Sequence, residues 1–394
     1  MRIYLVSRRG FWKKWGGDTK ALVALCSGLR KLGHRADLIA DPANIGPYDY
    51  IFLSNTSFDL RPIFHFLQLR KSPYGLIGFH ENKIRHAGAS SGFFRYIRGC
   101  LDGEHDERYP FAVERLFENP ELIYYYSEPP RKMPLFNYDV LKNAQVAIAC
   151  CKTEAETMRR DCATCDPKIV PWPPGFVEGD ETPTSAFLRM TGLKSKEYIL
   201  QVGRLEQRKN QLATILATKD LDIPLVFIAT MTANMEYEQA ALEAIYKYRK
   251  APTFVLSQKI PSMRAGPLHI VQMPEAKKLS TKVLLSAYHH AGLHLHPAFY
   301  ELPGLTYFES AKLGIPTIAS SWATITDYFT DSAGNYTLDD RIEYVLPYHL
   351  PDILKMVKKK FGQKYAPSTH PAFLRTSEDV ARDFLKTIPG FSRP

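Results

Sequence analysis

The chain has no run of about 18 consecutive apolar residues, so none of its helices is expected to span a bilayer. The apolar core of "MRIYLVSRRGFW" is too short for a signal peptide and reads as a first strand. Six cysteines in 394 residues, two adjacent (Cys150, Cys151) and two in Cys162-Ala-Thr-Cys165, do not resemble a secreted disulfide framework, and the cytoplasm is the expected compartment. A second pair that would complete a zinc site with Cys162 and Cys165 is missing. There is no internal repeat and no low-complexity tract. G-x-G-x-x-G and the P-loop are both absent, which removes the two commonest phosphate-cradling signatures. Asp220-Leu221-Asp222 has the D-x-D spacing of a divalent-cation site, but it precedes the strand "PLVFIAT" instead of ending one, so it reads as a loop. His289, His290, His294 and His296 crowd one region, yet they straddle a helix end and an alternating strand. They are read as not sharing a face, and no metal is expected.

What is present is ordinary globular composition, 45% apolar and 23% charged, in a chain long enough for two domains. The net charge of +10 is concentrated: residues 1–100 carry 16 Lys and Arg against 6 Asp and Glu. Such a basic quarter suits an anionic partner (phosphate, a membrane surface or nucleic acid), or is simply a solvated face. No nucleic-acid-binding module accompanies it, so nucleic acid is not expected as a partner.

Apolar strands alternate with amphipathic helices from the start. "RIYLVS" is followed by a Gly16-Gly17-Asp18 loop, a helix from Thr19 to about Leu32 stopped by Gly33, and the strand "RADLIA". "YDYIFLS", "YGLIGFH" and "AQVAIACC" continue the series, a βαβ rhythm that predicts a parallel sheet with helices on both faces. A proline-rich, charged stretch, residues 168–185, interrupts it. The alternation then restarts at "YILQVGRL" and runs to a final helix, "SEDVARDFLKTI", read as having a Ser cap. The expected division is a first Rossmann-like domain over 1–175, a linker over 176–195, a second Rossmann-like domain over 196–370, and a C-terminal helix over 371–394 that packs back on the first domain.

Ligands of open parallel sheets bind at the C-terminal ends of strands, near helix N-termini that favour anions. Three segments sit at such turns. In "SRRGFWKKWGGDTKA", Gly16-Gly17 lets backbone approach a ligand closely, or is only a flexible loop with Asp18 as a cap. In "QVGRLEQRKNQ", Arg204 and Lys209 follow a strand end and suit a diphosphate. In "HPAFYELPGLTYFESAKLGIPTIAS", Pro303 and Gly304 open a helix, Glu301 stands just before it and Glu309 about a turn and a half inside. A carboxylate accepts two hydrogen bonds at once, which fits a vicinal diol such as ribose. Trp12, Lys13, Lys14 and Trp15 in "GFWKKW" suit an anionic membrane interface, a polyprenyl-diphosphate acceptor, or stacking on a sugar.

Strand-"GRL"-four residues-"KN", then E-x7-E followed by "AKLGIPTIAS", resembles the retaining glycosyltransferases of family 4, which have the GT-B fold: two doubly wound Rossmann-like α/β domains facing a central cleft. The glycine loop, the His ending "YGLIGFH", "NAQVAIACCKTEAE", "KIVPWPPGF" and "YVLPYHLPDI" fall where that family has matching segments, so the likeness covers nearly the whole chain. It implies that the domain over 1–175 binds the acceptor and the domain over 196–370 the nucleotide-sugar, that Arg204 and Lys209 hold the donor's diphosphate and that Glu309 binds the ribose. It also implies that Glu301, with the amides of Gly304 and Leu305, contacts the donor sugar, that His80 lies near its reacting face, and that Gly17 lies beside the phosphates and the acceptor. Such enzymes need no metal or cofactor and retain the anomeric configuration, the leaving phosphate itself taking the acceptor proton, so Glu301 is not assigned as a nucleophile. The chain departs from the family pattern where Pro303 removes an amide donor and where Ser320-Ser321-Trp322 replaces paired glycines; Trp322 fills part of the ligand pocket or only packs. The expected function is metal-independent, retaining transfer of a sugar from a nucleotide-diphosphate donor to a hydroxyl of a glycan, glycolipid or lipid-linked saccharide, on the cytoplasmic side and in peripheral contact with a membrane. Its rivals are a nucleotide-sugar epimerase or hydrolase of the same fold and a non-catalytic sugar-nucleotide-binding scaffold.

Overall fold

The computed structural model describes residues 1–10, 16–56, 60–81, 83–103, 111–128, 135–172, 184–229, 234–258, 260–273, 279–329 and 339–391. Trp12, Lys13, Lys14 and Trp15, and residues 176–183 of the expected linker, lie outside the described residues.

Two sheets organise the chain. The first contains β1 (Arg2–Val6), β2 (Arg35–Ile39), β3 (Tyr50–Ser54), β4 (Gly75–Ile77), β5 (Val146–Ala149) and β6 (Lys168–Ile169), all parallel, in the order β2-β1-β3-β4-β5-β6. The second contains β7 (Ile199–Val202), β8 (Leu225–Ile228), β9 (Thr253–Ser257), β10 (Met263–Ala265), β11 (Leu268–Gln272), β12 (Leu293–His296), β13 (Thr317–Ser320) and β14 (Ile342–Val345), in the order β10-β11-β9-β8-β7-β12-β13-β14. Only its edge strand β10 runs antiparallel, to β11.

The strands read as near-continuous apolar runs because both faces are covered by helices. In β1, Ile3 and Leu5 meet Leu22, Leu25 and Phe52 on one side. Tyr4 and Val6 meet Ile51, Leu53 and Phe64 on the other, the two-residue period of a strand. The helix Ser377–Lys386 buries Val380, Ala381, Phe384 and Leu385 in the core of the first sheet, against the helix Gly17–Lys31. Gly28 makes that approach possible, since a Cβ there would lie 2.0 Å from the Ser377 carbonyl oxygen. Its cap is Thr376, not the expected Ser377: the Thr376 hydroxyl accepts from the Asp379 amide while Asp379 accepts from the Thr376 amide, a reciprocal capping box.

The helix Lys83–Asp102 belongs by position to the first domain, yet it packs into the core of the second sheet. Phe93 lies 5.8 Å from Phe299 and Phe94 lies 5.6 Å from Tyr237, ring centre to ring centre. Arg98 pairs with Glu243 at 2.8 Å. Phe93, Phe94 and Ile97 share one buried cluster with Leu212, Phe227 and Tyr237, so an apolar interface ties the two sheets together.

Candidate functional site

The loop after β7 is held open by its own polar anchors. Asn210, at a left-handed φ of 59°, donates to the carbonyls of Pro297 and Pro347 at 2.8 and 2.7 Å. Gln201 donates to the Lys209 carbonyl at 2.8 Å. Between these anchors the chain turns through Gln207–Lys209 and presents Arg204, Arg208 and Lys209. The Lys209 ammonium donates to Glu301, and the His296 imidazole lies 3.3 Å from the same carboxylate oxygen. Arg208 bridges outward, to Glu81 at 2.7 Å and to Glu206 at 3.4 Å, and Arg204 reaches Glu206 at 3.2 Å. Three cations therefore share three carboxylates around one strand-end turn. Arg208 and its partners Glu81 and Glu206 were missed from the sequence; two successive cations before Asn210 were the available signal.

Burial alone would push the Glu301 carboxyl up, but Lys209, His296 and Arg208 outweigh it and hold the group well below the usual carboxylate range. Burial likewise works against the Arg208 charge, and Glu81, Glu301 and Glu206 more than restore it. Arg208 is therefore charged at neutral pH, whereas burial pulls the Lys209 ammonium below its ordinary range and Glu301 only partly offsets this.

The second half of the site follows β12. Contrary to expectation, Pro303 stands outside the helix: the Leu302–Pro303 bond is cis, Gly304 is the N-cap, and the helix is Leu305–Lys312. Pro303 therefore takes no donor from that helix's first turn, in which the Tyr307 amide already donates to the Gly304 carbonyl at 2.9 Å. Gly304 has φ 86°, and a Cβ there would run into the Tyr307 ring at 2.5 Å, so no other residue fits this turn without strain. Glu309 faces inward and is only 1% exposed; it accepts from the Tyr288 hydroxyl at 2.9 Å and from Lys20 of the first domain at 3.3 Å. Burial and the neighbouring Glu309 raise the Tyr288 phenol well above its ordinary range, so it remains a donor. Gly17 starts its helix with Gly16 as the N-cap, and a Cβ on it would lie 3.7 Å from Leu305, which puts the two helix starts face to face. Asp18 pairs with Arg8 at 3.1 Å and lies inside the first turn, not at the cap position.

The structure thus brings Lys209 to Glu301, places Arg204 on the same turn, and brings Gly17, Leu305 and Glu309 together beside them. His80 directly precedes Glu81, the partner of Arg208, but its ring is turned away from that pair. The His80 amide donates to Glu154 at 2.7 Å while its ring meets Asp161 at 2.8 Å and Thr56 at 3.3 Å. Glu154 and Asp161 lie two turns apart on one helix face, so the ring lies along that helix, turned into the first domain. Trp322 packs, with its ring centre 5.7 Å from Tyr348, 6.2 Å from Phe299 and 5.1 Å from His86.

Contrary to what their spacing suggests, the four histidines do not all stand apart. His294 and His296 do share a face of β12, being two residues apart on a strand, and their rings stack at 5.9 Å; His289 and His290 stay at the helix end. Burial lowers both stacked imidazoles, which favours their neutral forms. Asp220 pairs with Lys219 at 2.9 Å and Lys250 at 2.7 Å on the surface, as a loop aspartate would. Cys162 and Cys165 are buried in the first domain's core. Cys150, Cys151 and Glu154 come within 4.8 Å of one another, but the Glu154 oxygens already accept from the amides of His80 and Cys150. Among the described residues no helix is long and apolar enough to cross a membrane.

No family model matches the chain, and no curated protein matches it in sequence. Solved structures do. Sucrose-phosphate synthase of Thermosynechococcus elongatus superposes with a TM-score of 0.56 at 14% identity, covering 98% of this chain and 94% of that one. HepE of Anabaena, solved with UDP-glucose, gives 0.61 at 12% identity, covering 98% and 99%. WaaG, a glycosyltransferase involved in lipopolysaccharide biosynthesis, gives 0.52 at 14% identity, covering 96% and 94%. These neighbours are GT-B glycosyltransferases, and two doubly wound Rossmann-like domains around one cleft give this chain the GT-B fold.

Proposed function

We propose that the chain is a retaining glycosyltransferase of the family 4 type, using a uridine-diphosphate sugar as donor and a carbohydrate or glycolipid hydroxyl as acceptor. The observation that carries this is the convergence of Arg204, Arg208 and Lys209 with Glu301 and Glu309 at adjacent strand ends of the second sheet. A leaving diphosphate gains charge as the glycosidic bond breaks, and fixed cations that meet this charge lower the barrier. Arg204 and Lys209 supply that charge without a metal or cofactor. The amides of Gly304 and Leu305 and the Glu301 carboxylate take the donor sugar, and Glu309 takes the ribose diol. Glu301 is engaged by Lys209 and His296, which suits an orienting carboxylate better than a nucleophile. Retention follows if the leaving phosphate accepts the acceptor's proton on the face it vacates. His80 contributes to the sugar's reacting face only if its ring leaves Asp161. The complex of HepE with UDP-glucose supports uridine as the base. The acceptor approaches from the first domain, and Trp12, Lys13, Lys14 and Trp15 give that domain its contact with an anionic membrane on the cytoplasmic side.

The test is UDP release from a panel of UDP-sugars, measured with and without oligosaccharide and glycolipid acceptors. Release that requires an acceptor, with an α-linked product from an α-linked donor, is expected. Release without acceptor would favour a hydrolase or epimerase, and binding without turnover a scaffold.

A further inference from the structure

Both oxygens of the Glu309 carboxylate are engaged, and from opposite sides of the cleft. Tyr288 donates to one at 2.9 Å from within the second domain, and Lys20 donates to the other at 3.3 Å from the first. Lys20 stands in the first turn of the helix Gly17–Lys31, whose start faces Leu305, so the contact belongs to the region where the two domains' helix starts meet. The two donors differ in kind. Tyr288 is fully buried and rigid, whereas the Lys20 side chain is 36% exposed on a flexible four-carbon stem.

On the donor reading above, on which this inference rests, a ribose diol uses both oxygens of Glu309. The Lys20 ammonium reaches that carboxylate from across the cleft, on the side the hydroxyls would approach, and of the two donors it is the one able to move aside. We propose that Lys20 is a specificity-determining residue of the donor site: a counter-ion to Glu309 from across the cleft that the ribose hydroxyls displace, so that it sets donor affinity. A neutral diol must break an ion pair whose carboxylate is buried. A nucleotide bearing a diphosphate recovers part of that cost, because the released ammonium is attracted to the phosphates. Lys20 therefore discriminates against nucleosides and in favour of nucleoside diphosphates.

The experiment is competition calorimetry of uridine and UDP on the full chain, with Lys20→Met and Lys20→Gln as test variants and Lys20→Arg as the charge-preserving control. Both neutral variants should bind uridine about fivefold more tightly than wild type, the size of one partly buried ion pair, and UDP with a smaller gain or a loss. Added salt should strengthen uridine binding to wild type and to Lys20→Arg, and leave the neutral variants unchanged. A merely structural lysine would produce weaker binding on removal, never tighter. If UDP binds wild type but uridine binding is unchanged or weaker in both neutral variants, the role of Lys20 is overturned while the donor reading stands. If UDP fails to bind wild type at millimolar concentration, both fall.

Discussion

Glu301→Gln removes one charge from a cluster in which Lys209, Arg208 and His296 all act on a single carboxylate. At contact, with an effective dielectric of about 20, the Lys209–Glu301 attraction is on the order of 5 kcal/mol before desolvation is counted. The side chains of Lys209 and Glu301 are 12% and 8% exposed, so desolvation takes back most of that gain. The intact pair is then worth little net, but stranding either partner costs about 3–5 kcal/mol. Glu301→Gln strands the ammonium, and Lys209→Met leaves the buried carboxylate with only His296 and the more distant Arg208. The double variant strands neither of these charges, so its loss should fall short of the sum of the single losses by at least about 2 kcal/mol. Urea unfolding at neutral pH, followed by far-ultraviolet dichroism and tryptophan fluorescence together, measures this cycle. The folded Glu301 carboxyl lies below its ordinary value of 4.5, so its contribution is present above that value and lost as pH falls through the folded one; Glu301→Gln should lack this acid limb. A coupling below about 0.5 kcal/mol, the size found for exposed pairs, would refute the reasoning.

Phe93→Ala should destabilise the protein by about 3–5 kcal/mol, and hydrogen exchange should accelerate in the helix Met235–Tyr248 of the second domain, because Phe93 is buried in that domain's core. Exchange changes confined to the first sheet would contradict this. Burial raises the Glu154 carboxyl to about 7 against the hydrogen bonds from the Cys150 and His80 amides, so the folded state binds its proton more tightly than the unfolded chain does. Stability from this group is complete below about 4.5 and declines toward pH 7, by on the order of 3 kcal/mol, and Glu154→Gln should remove that slope when unfolding is measured across the range. Gly304→Ala forces a Cβ into Tyr307 at a φ of 86°, so it should lower stability by about 1–3 kcal/mol and weaken UDP-sugar binding in the same titration.

The doubly wound architecture was legible because parallel strands covered on both faces leave unmistakable apolar runs, such as "RIYLVS" and "YILQVG". Short or edge elements were not. The two-residue β6, the antiparallel β10 and the exposed side of β14 carry too few apolar residues to stand out. The embedding of Lys83–Asp102 in the second domain was hidden for another reason. A helix's apolar face shows that it is buried but does not name its partner, and Phe93 and Phe94 would have served equally well against the first sheet. At the site, Arg204, Lys209, Glu301 and Glu309 could be read from charge placed at strand ends. The pairing of Lys209 with Glu301, the bridges from Arg208 and the reach of Lys20 to Glu309 join residues up to 289 positions apart. No local pattern encodes such contacts. Ring direction was equally invisible: the "GFH" segment marks where His80 lies, while Asp161 and Thr56 decide where its imidazole points.

The most direct test of the central claim is calorimetric titration of the wild type with UDP-glucose, UDP-galactose and UDP-N-acetylglucosamine, alongside the GDP and ADP sugar series, repeated on Arg204→Ala. One nucleotide series should bind at micromolar concentration, with affinity falling at least about tenfold in Arg204→Ala, the loss expected for one charge-assisted phosphate contact. Absence of binding by every series, or equal affinity of wild type and Arg204→Ala, would contradict the placement of a nucleotide-sugar diphosphate at this strand-end turn.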